Sequence, residues 1–163
     1  MIFSKSFSYA LRGVLYIAFL QDEGRNIHVE EMADKLSVPK HFMGKILKKL
    51  VKHDILSSLK GPNGGFSINN NTATTTLITI RNITDGPEDF DYCTLHLHTC
   101  NDTNPCPLHH YLREVKARLL EVLTTTTVND LLITNQSHFI ESITTDREVG
   151  SIIKPITAMK EVQ

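Results

Sequence analysis

Residues 37–68 read SVPKHFMGKILKKLVKHDILSSLKGPNGGFSI, and the order of patterns in this stretch decides the fold. Pro39 cannot continue a helix interior but is well suited to begin the next helix. The apolar spacing after it predicts a helix over about residues 40–53. One face of this helix is expected to pack and carries Phe42, Ile46, Leu47 and Leu50. Another face is basic and carries His41, Lys45, Lys48 and Lys52.

Two further helices are expected before this stretch. Amphipathic spacing predicts the first over about residues 6–21, with Phe3, Phe7, Ala10, Leu11, Val14 and Ala18 facing inward. The second, shorter helix is predicted over about residues 29–36. Two short helices joined by a tight turn, the second basic on its outer face, are typical of a helix-turn-helix that enters the DNA major groove. A solvated lysine face on an ordinary helix would give the same pattern.

The second half of the stretch predicts a β-hairpin. Residues 55–60 and 65–68 favour two short strands, and the GPNGG at residues 61–65 is dense in residues that permit positive φ. Directly after a helix-turn-helix such a hairpin would form a wing, with Lys60 and Asn63 able to reach a phosphate or the minor groove. An ordinary turn is the alternative.

The charge is distributed unevenly along the chain. The formal net charge is −1, yet residues 1–70 contain 10 Lys or Arg and 6 Asp or Glu, while residues 71–163 contain 7 and 12. A basic cluster confined to one helix and turn predicts contacts with DNA phosphates. The candidate DNA-binding residues are Lys40, His41, Lys45, Lys48, Lys49, Lys52, Lys60, Gly61 and Asn63.

The second half of the chain is also expected to be mainly helical. Residues 77–84 favour a strand by β-branched content but a short helix by apolar spacing, and we predict the helix. A long helix is predicted from Pro107, with an apolar seam formed by Leu108, Leu112, Val115, Leu119 and Val122. This four-three spacing is typical of a coiled-coil dimer seam, although a helix packed on its own domain would share it. Short helices are predicted at about residues 128–133 and 139–143.

These elements predict a mainly α fold with a small β wing, a winged helix-turn-helix domain plus a long dimerisation helix. The expected regions are a DNA-binding domain at 1–76, a connector helix and cysteine loop at 77–106, a dimerisation helix region at 107–133 and an extension at 134–163. With 163 residues and 40% apolar content the chain can build a real core. No stretch approaches the roughly 20 apolar residues that span a bilayer, so a cytoplasmic protein is expected.

All three cysteines lie in the short segment from residue 93 to residue 109, together with three histidines. An odd number of cysteines in a cytosolic protein favours ligands or redox groups over a disulfide framework. We therefore predict a metal or cluster site. Thiolates suit iron. Three thiolates and an imidazole also make a closed zinc site. A third interpretation is three reduced cysteines that bind no metal. His96 and His98 are interpreted as solvated loop residues.

The chain resembles the Rrf2 family of winged-helix transcription regulators over about residues 1–133. The resemblance rests on SYALR at residues 8–12, on KGPNGGF at residues 60–66 and on the three cysteines just before the long helix. It implies a homodimer that binds a partly palindromic double-stranded DNA operator, with an iron–sulfur cluster near the crossing long helices. Redox state, iron–sulfur status or nitric oxide would then set operator affinity.

The resemblance also implies the cluster ligands. Cys93, Cys100 and Cys106 match the family's three cysteines, here spaced C-x6-C-x5-C. His109 matches the histidine ligand of the family's iron–sulfur cluster regulator. The expected cofactor is an iron–sulfur cluster, with 2Fe–2S favoured over 4Fe–4S.

Two departures limit what the resemblance carries over. The nitric-oxide-sensing branch takes an aspartate of the other subunit as its fourth ligand, and Ser8 stands at that position here. The glutamate and serine with which the cluster regulator reads bases correspond to Gly44 and His41, so the operator sequence does not transfer.

Other functions stay open beside this one. A cluster-free or zinc-binding winged-helix regulator would have the same DNA-binding domain, and an iron–sulfur electron-transfer protein would have the same cluster. The sequence shows no nucleotide-binding glycine loop and no nucleophile–base pair. We therefore expect a non-enzymatic regulator without catalytic residues, small-molecule substrate or membrane partner.

Overall fold

The computed structural model describes residues 3–87, 93, 95, 97, 100–134 and 143–144. Its helices are α1 Lys5–Phe19, α2 Val29–Lys35, α3 Lys40–Lys52, α4 Leu77–Asp85, α5 His109–Thr125 and α6 Val128–Thr134. A short 3-10 helix, Leu20–Glu23, extends α1, and strands β1 Leu56–Leu59 and β2 Gly65–Ile68 form a hairpin. The predicted mainly α fold with a small β wing is confirmed. None of the described helices is both long and apolar enough to cross a membrane.

The core lies where α1 packs against α3 and α4, with α2 closing one side of α3. The hydroxyl of Ser4 caps α1 by accepting the Phe7 N–H at 3.0 Å. A Cβ at Gly13 would lie 3.4 Å from the Met43 sulfur, an ordinary van der Waals contact, so Gly13 lies on the face of α1 that packs against α3. The buried side chains that α3 contributes to the core are Met43, Ile46, Leu47 and Leu50.

One predicted core position on α3 was wrong. Phe42 is 48% exposed, whereas its neighbour Met43 is fully buried. At about 100° per residue the four buried side chains of α3 span one arc, and Phe42 lies roughly 90° from the centre of that arc. The apolar character of Phe42 therefore does not decide its burial, because the phase of the helix is set by the other four residues.

The turn over residues 36–39 joins the two helices of the helix-turn-helix, α2 and α3. Ser37 adopts a φ of 48° there, in the left-handed region. Arg12 of α1 donates to the Leu36 carbonyl at 2.6 Å and to the Ile143 carbonyl at 2.8 Å. One guanidinium thus connects α1, the turn before α3 and the chain beyond α6.

The wing is an antiparallel hairpin in which Leu59 lies opposite Gly65. Ile27 adds a third, one-residue strand, since its N–H and carbonyl each hydrogen-bond Phe66 at 2.9 Å. Gly65 has a φ of 131°, and a Cβ there would lie 2.6 Å from the Ile27 carbonyl oxygen. Only glycine fits this position, which fastens the wing to the chain before α2.

The polar segment after the wing is a folded turn. The Thr72 hydroxyl is buried and donates to the Ile55 carbonyl at 2.6 Å. Asn69 and Asn71 donate their amides to the Asp54 carboxylate at 3.1 and 2.6 Å. These bonds fix the path of the chain from β2 back to α4.

The end of α5 is fastened to the start of α4. Leu77 N–H donates to the Thr126 carbonyl at 3.0 Å, and Val128 N–H donates to the Thr75 carbonyl at 2.9 Å. The C-terminal end of α5 is therefore held on the reading head, by which we mean the packed unit of α1 to α4 with the wing.

The remaining predicted boundaries are close to those observed. The helix predicted over residues 77–84 is confirmed as α4. The long helix begins at His109 and not at Pro107, because Pro107 lies in a turn closed by donation from His109 N–H to the Cys106 carbonyl at 3.0 Å. The helix predicted at residues 139–143 lies outside the described residues apart from its last residue. The domain division stays a prediction.

Candidate metal centre and nucleic-acid interface

The outer face of α3 is basic and open to solvent. Lys40 forms an ion pair with Glu30, with Nζ 2.5 Å from Oε1, and this pair lowers the pKa of Glu30. The other predicted residues on this helix are exposed, and none forms an ion pair with another described residue: His41, Lys45, Lys48, Lys49 and Lys52. Their charges can therefore attract phosphates without first breaking an internal salt bridge.

An exposed aromatic pair stands in the N-terminal turn of α3. The ring centroids of His41 and Phe42 are 4.2 Å apart. In helix-turn-helix proteins the N-terminal residues of the second helix are those that meet base edges. An apolar ring such as Phe42 can contact a thymine methyl group, whereas the apolar spacing had predicted Phe42 in the core.

The predicted wing residues Lys60, Gly61 and Asn63 are exposed at the hairpin turn. The turn is closed by donation from Gly64 N–H to the Gly61 carbonyl at 2.9 Å. Asn26, which the sequence analysis did not single out, donates its amide to the Asn63 carbonyl at 3.0 Å. Asn26 thereby holds the wing tip against the loop before α2.

Three thiols converge near the N-terminal end of α5. The sulfur atoms of Cys93, Cys100 and Cys106 all lie within 4.8 Å of one another, and all three cysteines are free. The sulfurs of Cys93 and Cys106 are 3.7 Å apart. Two thiolates at about 2.3 Å from one tetrahedral metal lie roughly 3.8 Å apart, so this separation suits a shared metal ion.

His109, the first residue of α5, borders the thiols. Its Nδ1 lies 3.3 Å from the Cys100 sulfur, and its Nε2 lies 2.9 Å from Asp102 Oδ1. Arg113, one helical turn further on, donates to the same Oδ1 at 3.1 Å. Hydrogen bonds from His109 and then Arg113 lower the pKa of Asp102. The ligand atoms that lie mutually close are the three thiols, and the imidazole borders this group at Cys100. Thiolates together with an imidazole are donor types that fit iron and also fit zinc.

The loop that carries these ligands is ordered by its own polar groups. Asn101 Oδ1 accepts the N–H of Thr103 at 3.0 Å and of Asn104 at 2.8 Å. This side chain–backbone turn is one that asparagine favours. The N–H of Cys106 points at the Cys100 sulfur at 3.4 Å, which favours the thiolate form of Cys100.

The thiols differ in acidity. A hydrogen bond with the Leu97 backbone is the largest influence on Cys93 and lowers its pKa to about 7. The Cys106 N–H lowers the pKa of Cys100, but desolvation and the neighbouring Cys106 and Cys93 thiols outweigh it and raise this pKa. One thiolate in the group thus forms readily while its neighbour resists ionisation, as expected for like charges held close together.

Two contributors to this site were absent from the sequence prediction, Asp102 and Arg113. The spacing of four residues between His109 and Arg113 places both on one helix face and could have indicated Arg113. The position of Asp102 depends on the turn over residues 101–104, which no periodicity predicts. His96 and His98 lie outside the described residues.

A cavity of about 200 Å³ opens beside the thiols, between the loop and α5. Its wall on the α5 side includes Leu112, Lys116 and Leu120. The predicted seam of α5 is largely uncovered, with Leu108 39%, Val115 57% and Val122 40% exposed, while Leu112 and Leu119 are half-buried. Most of this apolar stripe therefore does not pack on the described part of its own chain.

Known proteins are similar in sequence to this chain along most of its length. Residues 3–134 match the family model Rrf2, described as an iron-dependent transcriptional regulator. A candidate HTH-type transcriptional regulator of Aquifex aeolicus (strain VF5) is 33% identical over 140 residues, which cover 85% of this chain and 96% of that protein. The HTH-type transcriptional regulator NsrR of Geobacillus kaustophilus (strain HTA426) is 29% identical over 125 residues, covering 76% and 84%.

Solved structures share the fold. CymR (YrzC), the global cysteine regulator of B. subtilis, superposes with a TM-score of 0.65 at 19% identity, covering 81% of this chain and 96% of that one. T. potens IscR superposes with a TM-score of 0.59 at 18% identity, covering 80% and 85%. The winged-helix architecture is confirmed by both. With a family model that spans the reading head, the cysteine loop and α5, the chain belongs to the Rrf2 family of transcriptional regulators.

Proposed function

We propose that this chain acts in the cytoplasm as a homodimeric DNA-binding regulator whose operator affinity is set by an iron–sulfur cluster. The observation that carries the proposal is the convergence of Cys93, Cys100 and Cys106 within 4.8 Å on the loop before α5. The same chain presents an exposed basic helix and a wing at its other end. The proposed role involves no catalytic step.

The donor set supports iron as the metal. Cys93, Cys100 and Cys106 would each supply a thiolate, and His109 would supply an imidazole nitrogen beside Cys100. These four ligands match the number that a 2Fe–2S cluster takes from a protein, and the family description is of iron-dependent regulators. When bound, such a cluster supplies one-electron chemistry and sensitivity to oxidants or nitric oxide. An imidazole in place of a thiolate lowers the negative charge at the site and favours a higher reduction potential.

The proposed DNA contacts combine α3 and the wing. Lys45, Lys48 and Lys52 would meet phosphates along one groove, while the N-terminal turn of α3 would reach base edges. Lys60 and Asn63 at the wing tip would contact the backbone or the minor groove beside it. A partly palindromic operator follows if two heads are related by a two-fold axis.

The proposed dimer interface is the apolar stripe of α5. Val115 and Val122 are exposed at seam positions seven residues apart, and Tyr111 is 77% exposed on the same helix. Apolar side chains in such a row are stabilised by burial against an identical helix, at about 25 cal/mol per Å² of apolar surface. Crossing α5 helices would set the distance between the two reading heads.

The loop is suited to couple metal binding to that distance. Cys93 lies on the chain that leaves α4, whereas His109 begins α5, so one metal centre would join the ends of two helices. The far end of α5 is fastened to α4 by the hydrogen bond between Leu77 and Thr126. Holding or releasing the loop would therefore bias the orientation of α5 relative to the head, and with it the spacing of the two α3 helices.

The test begins with protein purified without oxygen and analysed for iron, acid-labile sulfide and zinc. We expect about two irons and two sulfides per chain. An operator selected from random duplex DNA then serves in gel shifts with loaded and cluster-free protein, and an affinity difference of about tenfold or more is expected. Zinc in place of iron and sulfide would overturn the cluster, and equal affinities would overturn the switch.

A zinc-binding or cluster-free regulator is the second candidate. The 3.7 Å separation of the Cys93 and Cys106 sulfurs suits a single zinc ion as well as a cluster iron. The likeness in fold to a global cysteine regulator also supports keeping this candidate. Operator binding that persists without any bound metal would favour the cluster-free regulator, and an iron–sulfur protein without operator binding would favour electron transfer.

A further inference from the structure

The imidazole of His109 has a different partner at each nitrogen. Nε2 lies 2.9 Å from Asp102 Oδ1, and Nδ1 lies 3.3 Å from the Cys100 sulfur. The ring is only 19% exposed, whereas the Asp102 side chain is 71% exposed. The imidazole thus stands between a solvated carboxylate and the thiol group.

The Asp102 carboxylate is itself held in place. Arg113 donates to the same Oδ1 at 3.1 Å from the next turn of α5. On the loop side, Asn101 accepts the Thr103 hydroxyl at 2.6 Å as well as the backbone N–H groups of Thr103 and Asn104. The carboxylate is therefore oriented from the helix and from the turn at once.

This arrangement selects one tautomer of His109. An ionised carboxylate can only accept a hydrogen bond, so the neutral imidazole must carry its proton on Nε2 to satisfy Asp102. The lone pair is then on Nδ1, the nitrogen that faces Cys100. Histidines that bind metals almost always donate their other ring N–H to a carboxylate, carbonyl or water, which fixes the ring and its tautomer.

We propose that Asp102, oriented by Arg113 and the Asn101 turn, is a positioning residue that holds His109 in the Nε2-protonated form and directs Nδ1 to the metal beside Cys100. This inference rests on the proposed metal-binding function and identifies the ligating atom. It also separates Asp102 from the ligands, since its Oδ1 is already shared between His109 and Arg113.

The first test uses cluster-free protein and is independent of any metal. Long-range ¹H–¹⁵N NMR of the His109 ring, at about pH 8.5 where an ordinary imidazole is neutral, reports which nitrogen carries the proton. We expect the Nε2-protonated form in the native chain and a mixture in Asp102→Ala. Asp102→Asn keeps an oxygen acceptor and should restore most of the native pattern. An Nδ1-protonated ring in the native chain, or an Asp102→Ala spectrum identical to it, would overturn the proposal.

The second test measures metal binding with cobalt(II) as the probe, through its thiolate absorption bands in anaerobic, cluster-free protein. Asp102→Ala is expected to weaken cobalt binding by roughly 10- to 100-fold, as is typical when a partner of a ligating histidine is removed. Glu114→Ala, which removes an exposed acid from α5, is the charge control and should bind cobalt normally. In a His109→Ala background, Asp102→Ala should have no further effect.

The two proposals fail in different ways. Native protein that binds cobalt and responds to Asp102→Ala, but holds zinc and no iron or sulfide, would overturn the cluster and leave the role of Asp102 intact. If the native protein holds a cluster, and Asp102→Ala changes neither the stability of that cluster nor the cobalt affinity of the cluster-free protein, the positioning role alone would be overturned. Absence of cobalt binding in the native chain would overturn the proposal that His109 is a metal ligand.

Discussion

The reading head and the cysteine loop are held together by different forces. The head is built around fully buried apolar side chains such as Met32, Met43 and Leu47. In the described part of residues 93–108 the one buried residue is Cys106, and Leu97 is 48% exposed. Hydrophobic burial is therefore the main stabilising force in the head, whereas the loop is held by polar turns and by groups that can bind a metal.

The difference between the two regions predicts unequal effects when one apolar side chain is removed from each. Leu47→Ala is expected to reduce the free energy of unfolding by about 2–5 kcal/mol, because it leaves a cavity between α1 and α3. Leu97→Ala, at an exposed loop position, should change it by no more than about 0.5 kcal/mol. Urea unfolding followed by circular dichroism measures both, and equal losses would show that the loop is part of the same core.

Removal of a thiol should strongly reduce metal retention and only slightly reduce the stability of the metal-free protein. Cys100→Ala is expected to abolish retention of iron, since it removes both a ligand and the sulfur beside His109, while metal-free stability falls by less than about 1 kcal/mol. Iron content and metal-free urea unfolding are measured on the same preparation. A large loss of metal-free stability would mean that the loop supports the head.

The wing supplies a matched pair of glycines. Gly65→Ala combines a φ of 131° with a methyl group 2.6 Å from the Ile27 carbonyl, and should destabilise the head by about 1–3 kcal/mol. Gly61→Ala has a φ of 109° but meets no heavy atom within 4 Å, so its effect should be smaller. Comparable urea midpoints for the two variants would contradict the close approach of the wing to the chain before α2.

The basic face of α3 should influence DNA binding without influencing stability. Replacing both Lys45 and Lys48 by alanine is expected to lower the slope of log affinity against log salt by about 1.8 per protomer, or about 3.6 for the dimer, if each lysine contacts one phosphate. Lys5→Ala, at the exposed start of α1, is the control and should leave the slope unchanged. The measurement is fluorescence anisotropy with the selected operator over a series of salt concentrations.

The last prediction concerns pH and is confined to the head. Burial first, and then the hydrogen bond to Glu31, raise the pKa of Tyr16 to about 12. Because the unfolded value is about 10, the stabilising contribution of the neutral phenol is fully present below pH 10 and is lost as the pH rises towards 12. Tyr16→Phe should flatten the fall in stability over that range, as measured by urea unfolding at several pH values.

The same contrast explains what could be predicted from the sequence. Apolar periodicity located α1 to α4 within a few residues, because burial orders the helices of the head, and the GPNGG turn at residues 61–65 located the hairpin. The burial predicted for Phe42 was wrong because a pattern of apolar residues does not say which of two neighbours, Phe42 or Met43, faces the core. Burial of the Thr72 hydroxyl was missed because its acceptor, the Ile55 carbonyl, is remote in sequence.

The site was predicted less completely. The three cysteines and His109 could be named from spacing and resemblance, but the partners of His109 could not. The contact of Asp102 with Nε2 depends on the turn that Asn101 forms, and a single polar side chain of this kind leaves no periodic trace in the sequence. The basic residues of α3 were correctly placed on an exposed face, because solvent exposure follows from the same helical period as burial.

Because α5 is attached at its C-terminal end, a small tilt there would produce a larger displacement at its N-terminal end. Seventeen residues make this helix about 25 Å long, with Thr126 pinned to Leu77 at one end and His109 at the other. A tilt of about 2° at the pinned end would move His109 by roughly 1 Å. Metal–ligand distances are defined to about 0.2 Å, so ligation at His109 would constrain the tilt of α5 to roughly half a degree. A centre of atomic size would thus set the angle of a helix about 25 Å long.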